Sequence, residues 1–167
     1  MTSSLRSKTP LLIVFVDLDG YTLACEQRGD LEVADTIDDY YDRVATAAHT
    51  AGGRVVKFIG DAALIVFPER AIDSGVSMLL DLVPKIDSFM HNRGWPCRLR
   101  AKAHFGEVIA GEFGSTGTAR FDVMGREVNE TALMATTGIA VSPAALAKLS
   151  TRTRMRLDSA QRPAVAR

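Results

Sequence analysis

Residues 11–17 read Leu-Leu-Ile-Val-Phe-Val-Asp, and the run stops at the turn pair Asp19-Gly20. An uninterrupted aliphatic stretch of this length predicts a strand buried on both faces, with neighbours on either side and cover above and below. That strand ends on a carboxylate, Asp17, so the middle of the sheet delivers an acidic group to its rim. Over residues 31–51 the period changes: Val33/Ala34, Ile37, Tyr40/Tyr41, Val44/Ala45 and Ala48 recur at helical spacing, and Gly52-Gly53 stops them. Residues 54–59 and 62–67 are two short apolar runs joined through Gly60-Asp61 and closed by Pro68, the pattern of a hairpin.

A second helix is predicted over residues 70–92, with Ile72, Val76, Leu79, Val83, Ile86 and Met90 on one face and a kink at Pro84. After Gly94-Trp95-Pro96, residues 98–104 and 107–112 read as a second strand pair turning at Phe105-Gly106, followed by a short strand at 121–124. A short helix from Arg126, a brief strand at 139–141 and a helix started by Ser142-Pro143 and ending near Leu149 complete the order. Strands and helices alternate, with hairpins that make antiparallel pairs. The expected class is α+β, with a ferredoxin-like β-α-β-β-α-β core and a mixed, mainly antiparallel sheet covered by helices. The length of 167 residues suits one domain, placed at 10–150. Residues 1–9 are expected to be an extension, and 151–167, with Arg152, Arg154, Arg156, Arg162 and Arg167, a basic mobile tail.

Basic and acidic residues balance at 20 each, so no global field draws nucleic acid or an anionic membrane, and a phosphate ligand must be held by local groups. The longest apolar run is too short to span a bilayer and no cleavage site of signal-peptide type precedes it, which predicts a cytoplasmic protein. Cys25 and Cys97 lack zinc-site spacing and read as reduced thiols.

Two carboxylates stand where strands end: Asp17 and Asp61. In a ferredoxin-like order the first strand lies beside the hairpin, so these ends approach each other. A carboxylate pair of this kind suits a hard divalent cation shared with substrate phosphates, although Asp-Gly and Gly-Asp are equally ordinary turn residues. Lys57 taken alone reads as a solvated strand residue. His49, His91 and His104 show no metal spacing, and Gly106, Gly111 and Gly114 have no Walker pattern.

The stretch Phe15-Val16-Asp17-Leu18-Asp19-Gly20-Tyr21-Thr22 resembles the first metal motif of class III adenylyl and guanylyl cyclases, and Lys57-Phe58-Ile59-Gly60-Asp61-Ala62 resembles their second. His104-Phe105-Gly106-Glu107-Val108 with Gly111-Glu112-Phe113-Gly114-Ser115 is similar to the family's central hairpin. Phe121-Asp122-Val123-Met124-Gly125 with Val128-Asn129 is similar to its dimer-interface motif. The resemblance runs from about residue 10 to 150, and four motifs in order carry more weight than any one alone. It implies that Asp17 and Asp61, with the Leu18 carbonyl, hold two divalent metal ions, Mg²⁺ or Mn²⁺. It further implies that Lys57 and Asp122 read the adenine of ATP and that Asn129 positions the ribose. A lysine ammonium donating to a ring nitrogen and a carboxylate accepting from the exocyclic amine is the pairing that adenine offers. The implied assembly is a homodimer with its sites shared between chains.

The resemblance has two gaps. Family enzymes carry an arginine one helical turn after the asparagine, to stabilise charge on the phosphate, and here that position is Leu133. Losing one such donor commonly costs on the order of a hundredfold in rate; Arg126 is the nearest substitute. The family's C-terminal phosphate-binding cation also has no clear counterpart, leaving Arg154, Arg156 or Arg162 as candidates. A silent cyclase-like dimerisation module is therefore the alternative reading. A third reading is a dehalogenase-type phosphatase, whose nucleophile motif resembles Val16-Asp17-Leu18-Asp19-Gly20 but has threonine where Tyr21 stands.

Overall fold

The computed structural model describes residues 6–161. Its central strand is β1 (Ser7–Asp19), flanked antiparallel by β3 (Ala62–Pro68) on one side and β4 (Arg98–Phe113) on the other. The sheet extends through β2 (Arg54–Ile59) beside β3 and β5 (Arg120–Met124) beside β4, giving the order β2-β3-β1-β4-β5. A sixth strand, β6 (Ile139–Val141), pairs parallel with β4. The expected ferredoxin-like arrangement is present, with the mixed sheet antiparallel except at β6.

Alternation along β1 divides the sheet into two faces. Leu12, Val14, Val16 and Leu18 point to the larger core, where α2 (Asp30–Thr50) and α3 (Ile72–Asn92) contribute Tyr40, Val44, Val76, Leu79 and Ile86. Leu11 and Ile13 join a smaller cluster with Leu64, Val66, Val108, Ala110 and Val123, against which Val128 of α4 (Arg126–Leu133) packs. Two short helices, α1 (Tyr21–Glu26) and α5 (Pro143–Leu146), complete the cover. The Ser142 hydroxyl caps α5 by accepting from the Ala145 N–H at 3.2 Å. A six-residue helix such as α1 is too short to leave a periodic signal, and the sequence reading missed it. Pro84 lies inside an α3 that runs through to Asn92.

The pair of strands expected on either side of Phe105-Gly106 is one strand of 16 residues. The reason lies in β1, which begins at Ser7, inside the supposed extension, and pairs without interruption from Ser7↔Ala110 to Asp19↔Arg98. A partner that long keeps β4 extended through Gly106. The hairpin partner of β4 is β5, reached by the loop at 114–119. Gly106 serves a close approach instead of a turn: a Cβ there would lie 2.6 Å from Cγ of Glu127 on α4.

The segment expected to be a mobile tail is helical as α6 (Thr151–Gln161), while residues 162–167 lie outside the described residues. Counting arginines hid a buried pair one turn apart, Thr153 and Leu157, both 2% exposed. Asp73 of α3 anchors the helix, accepting from the Ser150 N–H at 2.7 Å and the Thr153 hydroxyl at 2.8 Å, and Arg156 pairs with Asp81 at 2.6 Å. Burial by itself would raise the Asp73 pKa, but these hydrogen bonds and the Arg152 charge outweigh it and hold the carboxyl below its ordinary range. A group depressed in the folded state contributes stability above its unfolded pKa, about 3.9, and that contribution is lost as pH falls through the folded value. Thermal melts of Asp73→Asn at pH 7 are expected to fall by about 2–4 °C, the effect of about 1 kcal/mol lost from partly solvated hydrogen bonds to the carboxylate. The gap from the parent should close as the pH is lowered below 4; a gap that persists there would exclude this role for the carboxylate.

Among the described residues no helix is long and apolar enough to cross a membrane.

Candidate active site at the end of the central strand

Asp17 leaves the C-terminal end of β1 on the side of the smaller cluster, directly opposite Arg100 of β4. Arg100 Nε donates to Asp17 Oδ1 at 2.6 Å, and its Nη1 lies 3.3 Å from Asp19 Oδ1. The hydrogen bond to Asp17 is the main reason the Arg100 pKa is raised above its ordinary value. Lys102, two residues along the same face, places Nζ 3.8 Å from Asp17 Oδ2.

Asp61 comes from the β2–β3 turn. Its Oδ2 accepts the Leu18 N–H at 2.8 Å, which holds the second carboxylate against the strand end that carries the first. Two tyrosines of α2 fix the turn: Tyr40 donates to the Asp61 carbonyl at 3.0 Å, and Tyr41 donates to the Gly60 carbonyl while stacking on Phe58. Burial first, then the charges of Asp61 and Asp17, pushes the Tyr40 hydroxyl above the ordinary phenol range, so it remains a donor. Asp17 and Asp61 offer oxygen donors at one strand end, the chemistry that hard cations such as Mg²⁺ or Mn²⁺ require. The residues present fit such ions.

Lys57 and Asp122 lie on β2 and β5, the two ends of the strand order, yet Lys57 Nζ and Asp122 Oδ2 are 2.6 Å apart. Two features bring them together. A register shift between Val55 and Lys57 sets Lys57 opposite Leu64, a member of the smaller cluster, and so turns the lysine onto that face. The sheet also curls over the same face, laying the Arg54 guanidinium 3.9 Å from the Phe121 ring centroid. Asp122 Oδ1 accepts the Val123 N–H at 2.8 Å, which fixes the carboxylate.

Asn129 is exposed on α4, and Leu133, 84% exposed, sits at the end of that helix. Arg126 is exposed at its start. Arg156 is engaged by Asp81, and α6 packs on α3, across the sheet from Asp17, so neither Arg154 nor Arg156 stands beside the carboxylates. Arg162 lies outside the described residues. Sequence reasoning missed Arg100 and Lys102. Their signal was the alternation Arg100-x-Lys102-x-His104, three polar groups on one face of a strand. His104 Nε2 meets Glu127 Oε2 at 2.5 Å, and ligand atoms of His104, Glu127 and Glu130 lie within 4.8 Å of one another, a grouping between β4 and α4 that no sequence spacing announces.

A family model for the adenylate and guanylate cyclase catalytic domain matches residues 5–165. The chain belongs to this family. The cyclase domain is 30% identical over 128 residues to adenylate cyclase 2 of Rhizobium meliloti (strain 1021), covering 72% of this chain and 35% of that protein. It is also 30% identical over 133 residues to receptor-type guanylate cyclase gcy-23 of Caenorhabditis elegans, covering 75% of this chain and 12% of that protein. The domain therefore spans about a third or less of these two curated relatives. Among solved structures, the guanylyl cyclase Cya2 superposes with a TM-score of 0.77 at 27% identity, over 88% of this chain and 81% of that one. A bacterial light-regulated adenylyl cyclase reaches a TM-score of 0.81 at 20% identity, over 89% of this chain and 47% of that one, a likeness of fold. Family membership and the antiparallel strand order overturn the dehalogenase-type reading. The protein is a class III nucleotidyl cyclase domain, adenylyl or guanylyl.

Proposed function

We propose that this cyclase domain converts ATP to 3′,5′-cyclic AMP and pyrophosphate, as a homodimer in the cytoplasm. The observation that carries the reading is the Asp61–Leu18 hydrogen bond, which sets the two acidic side chains at one strand end. Two divalent ions bound by Asp17, Asp61 and the Leu18 carbonyl would supply the Lewis acidity for the ribose 3′-hydroxyl to attack the α-phosphorus. In that attack a new P–O bond closes the ring, the bond to the α–β bridging oxygen breaks, pyrophosphate leaves, and the hydroxyl proton passes to solvent or to the departing pyrophosphate. The residues of the chain bind and orient. Lys57 and Asp122, already paired, exchange each other for adenine: the ammonium donates to the ring nitrogen and the carboxylate accepts from the exocyclic amine. Asn129, exposed on its helix, holds the ribose. Arg100 stands beside Asp17, where the triphosphate's negative charge would gather.

The homodimer is supported by large apolar side chains exposed on the elements that carry these residues: Ile59 at 56% on β2, Met124 at 46% on β5 and Leu133 on α4. A shared site takes metal ligands from one chain and base-reading residues from the other.

The test is incubation with Mn²⁺ and either ATP or GTP, with separate detection of cyclic AMP, cyclic GMP and pyrophosphate. Slow cyclic AMP formation is expected, with GTP the poorer substrate. Lys57→Ala and Asp122→Ala are each expected to lower kcat/KM for ATP by about ten- to a hundredfold, the scale of a lost base-reading hydrogen bond. A preference for GTP would assign the domain to guanylate cyclases. The second reading, a silent dimerisation module, rests on Leu133 occupying a position where a cation would stabilise the transition state. It requires that neither product form and that nucleotide leave the melting temperature unchanged.

A further inference from the structure

The catalytic reading does not explain why Lys102 stands in the carboxylate cluster. Its ammonium lies 3.8 Å from Asp17 Oδ2, on the side of Asp17 that Arg100 leaves free, since Arg100 holds Oδ1 at 2.6 Å. The lysine is 16% exposed, and it donates to the Ala132 carbonyl of α4 at 2.9 Å, so the stem is seated and the head is pinned. Around the strand end Asp17, Asp19 and Asp61 bring three negative charges, and Arg100 and Lys102 return two positive ones.

A bare divalent cation approaching Asp17 therefore meets two fixed positive charges and a carboxylate they have largely neutralised. Like charges a few ångströms apart in a partly buried site repel strongly enough to change an affinity by about tenfold or more. A triphosphate changes the balance, because its oxygens give the ammonium a second anionic partner and bring the negative charge that a metal needs. We propose that Lys102 is a tethered counter-ion of Asp17 that disfavours divalent metal binding without nucleotide and turns to the phosphates when nucleotide arrives, so that metal enters with the nucleotide. This rests on the reading of Asp17 as a metal ligand.

The experiment measures two affinities in the full chain: Mn²⁺ alone, by electron paramagnetic resonance, and an ATP analogue with a methylene α–β bridge in the presence of Mn²⁺. Lys102→Met removes charge and donor, whereas Lys102→Gln removes the charge but keeps a donor for the Ala132 carbonyl. Both variants are expected to bind Mn²⁺ alone about tenfold more tightly and the Mn²⁺–nucleotide complex about tenfold more weakly. Adding Asp17→Asn should erase the gain for the bare metal. Unchanged affinities, or two affinities moving in the same direction, would overturn the role of Lys102 while Asp17-dependent metal binding survived. A shift in Lys102→Met alone would trace the effect to the tether on α4 and equally overturn it. Metal binding insensitive to Asp17→Asn in every background, with or without nucleotide, would instead remove the metal site on which both readings stand.

Discussion

Asp17→Asn is expected to lower cyclic nucleotide formation by a hundredfold or more at saturating Mn²⁺ and ATP, with the melting temperature within a few degrees of the parent. Asparagine keeps the shape and an acceptor oxygen but removes the charge that binds a divalent ion, and the loss falls on the step where charge builds at phosphorus. Stability changes little because Asp17 and Arg100 are partly solvated, at 20% and 35% side-chain exposure, and Arg100 keeps Asp19 as a partner. The readout is initial rate of product formation beside a thermal melt. A variant that folds and retains a tenth of the parent rate would rule out Asp17 as a ligand of the reacting complex.

Gly20→Ala is expected to lower the melting temperature by about 5–10 °C, and to do so without touching any catalytic group. Gly20 turns β1 into α1 with φ at 84°, a left-handed conformation that costs alanine about 1–2 kcal/mol. A Cβ there would also lie 2.9 Å from the Pro96 carbonyl oxygen, and backbone cannot swing aside as a side chain can. Relieving such a clash shifts backbone at a further cost of about 1–3 kcal/mol, which for a domain of this size corresponds to the stated fall. Differential scanning calorimetry of the pure variant decides it. A shift under 2 °C would mean that the 95–97 segment yields freely and does not brace the end of β1.

Much of this molecule was readable before its fold. The unbroken run ending at Asp17, the helical period through Tyr40 and Val44, and the Gly60-Asp61 turn are local signals, set by backbone and side-chain periodicity within a few residues. The strands around Phe105-Gly106 misled because a glycine inside an apolar run has two meanings, a turn or a close approach, and only the tertiary partners, β1 pairing straight through Gly106 and the Glu127 side chain lying against it, distinguish them. The arginine-rich segment after Ser150 misled for a related reason. Composition records five arginines in the stretch 151–167 but not that Thr153 and Leu157 share a stripe facing α3.

The candidate site divides in the same way. The resemblance to the cyclase motifs nominated Asp17, Leu18, Asp61, Lys57, Asp122 and Asn129, and of these only Asp17 and Asp61 are also marked by position, at a strand end and a turn. Three-dimensional packing had to decide that Asp61 leans on the Leu18 amide, that a bulge and the curl of the sheet carry Lys57 to Asp122, and that Arg100 and Lys102 both face Asp17. The physical reason is the range of the forces involved. Secondary structure follows from interactions a few residues apart, whereas the charge balance at a site is summed over side chains up to 85 positions apart, Asp17 and Lys102, which meet only when strand register and sheet twist are set.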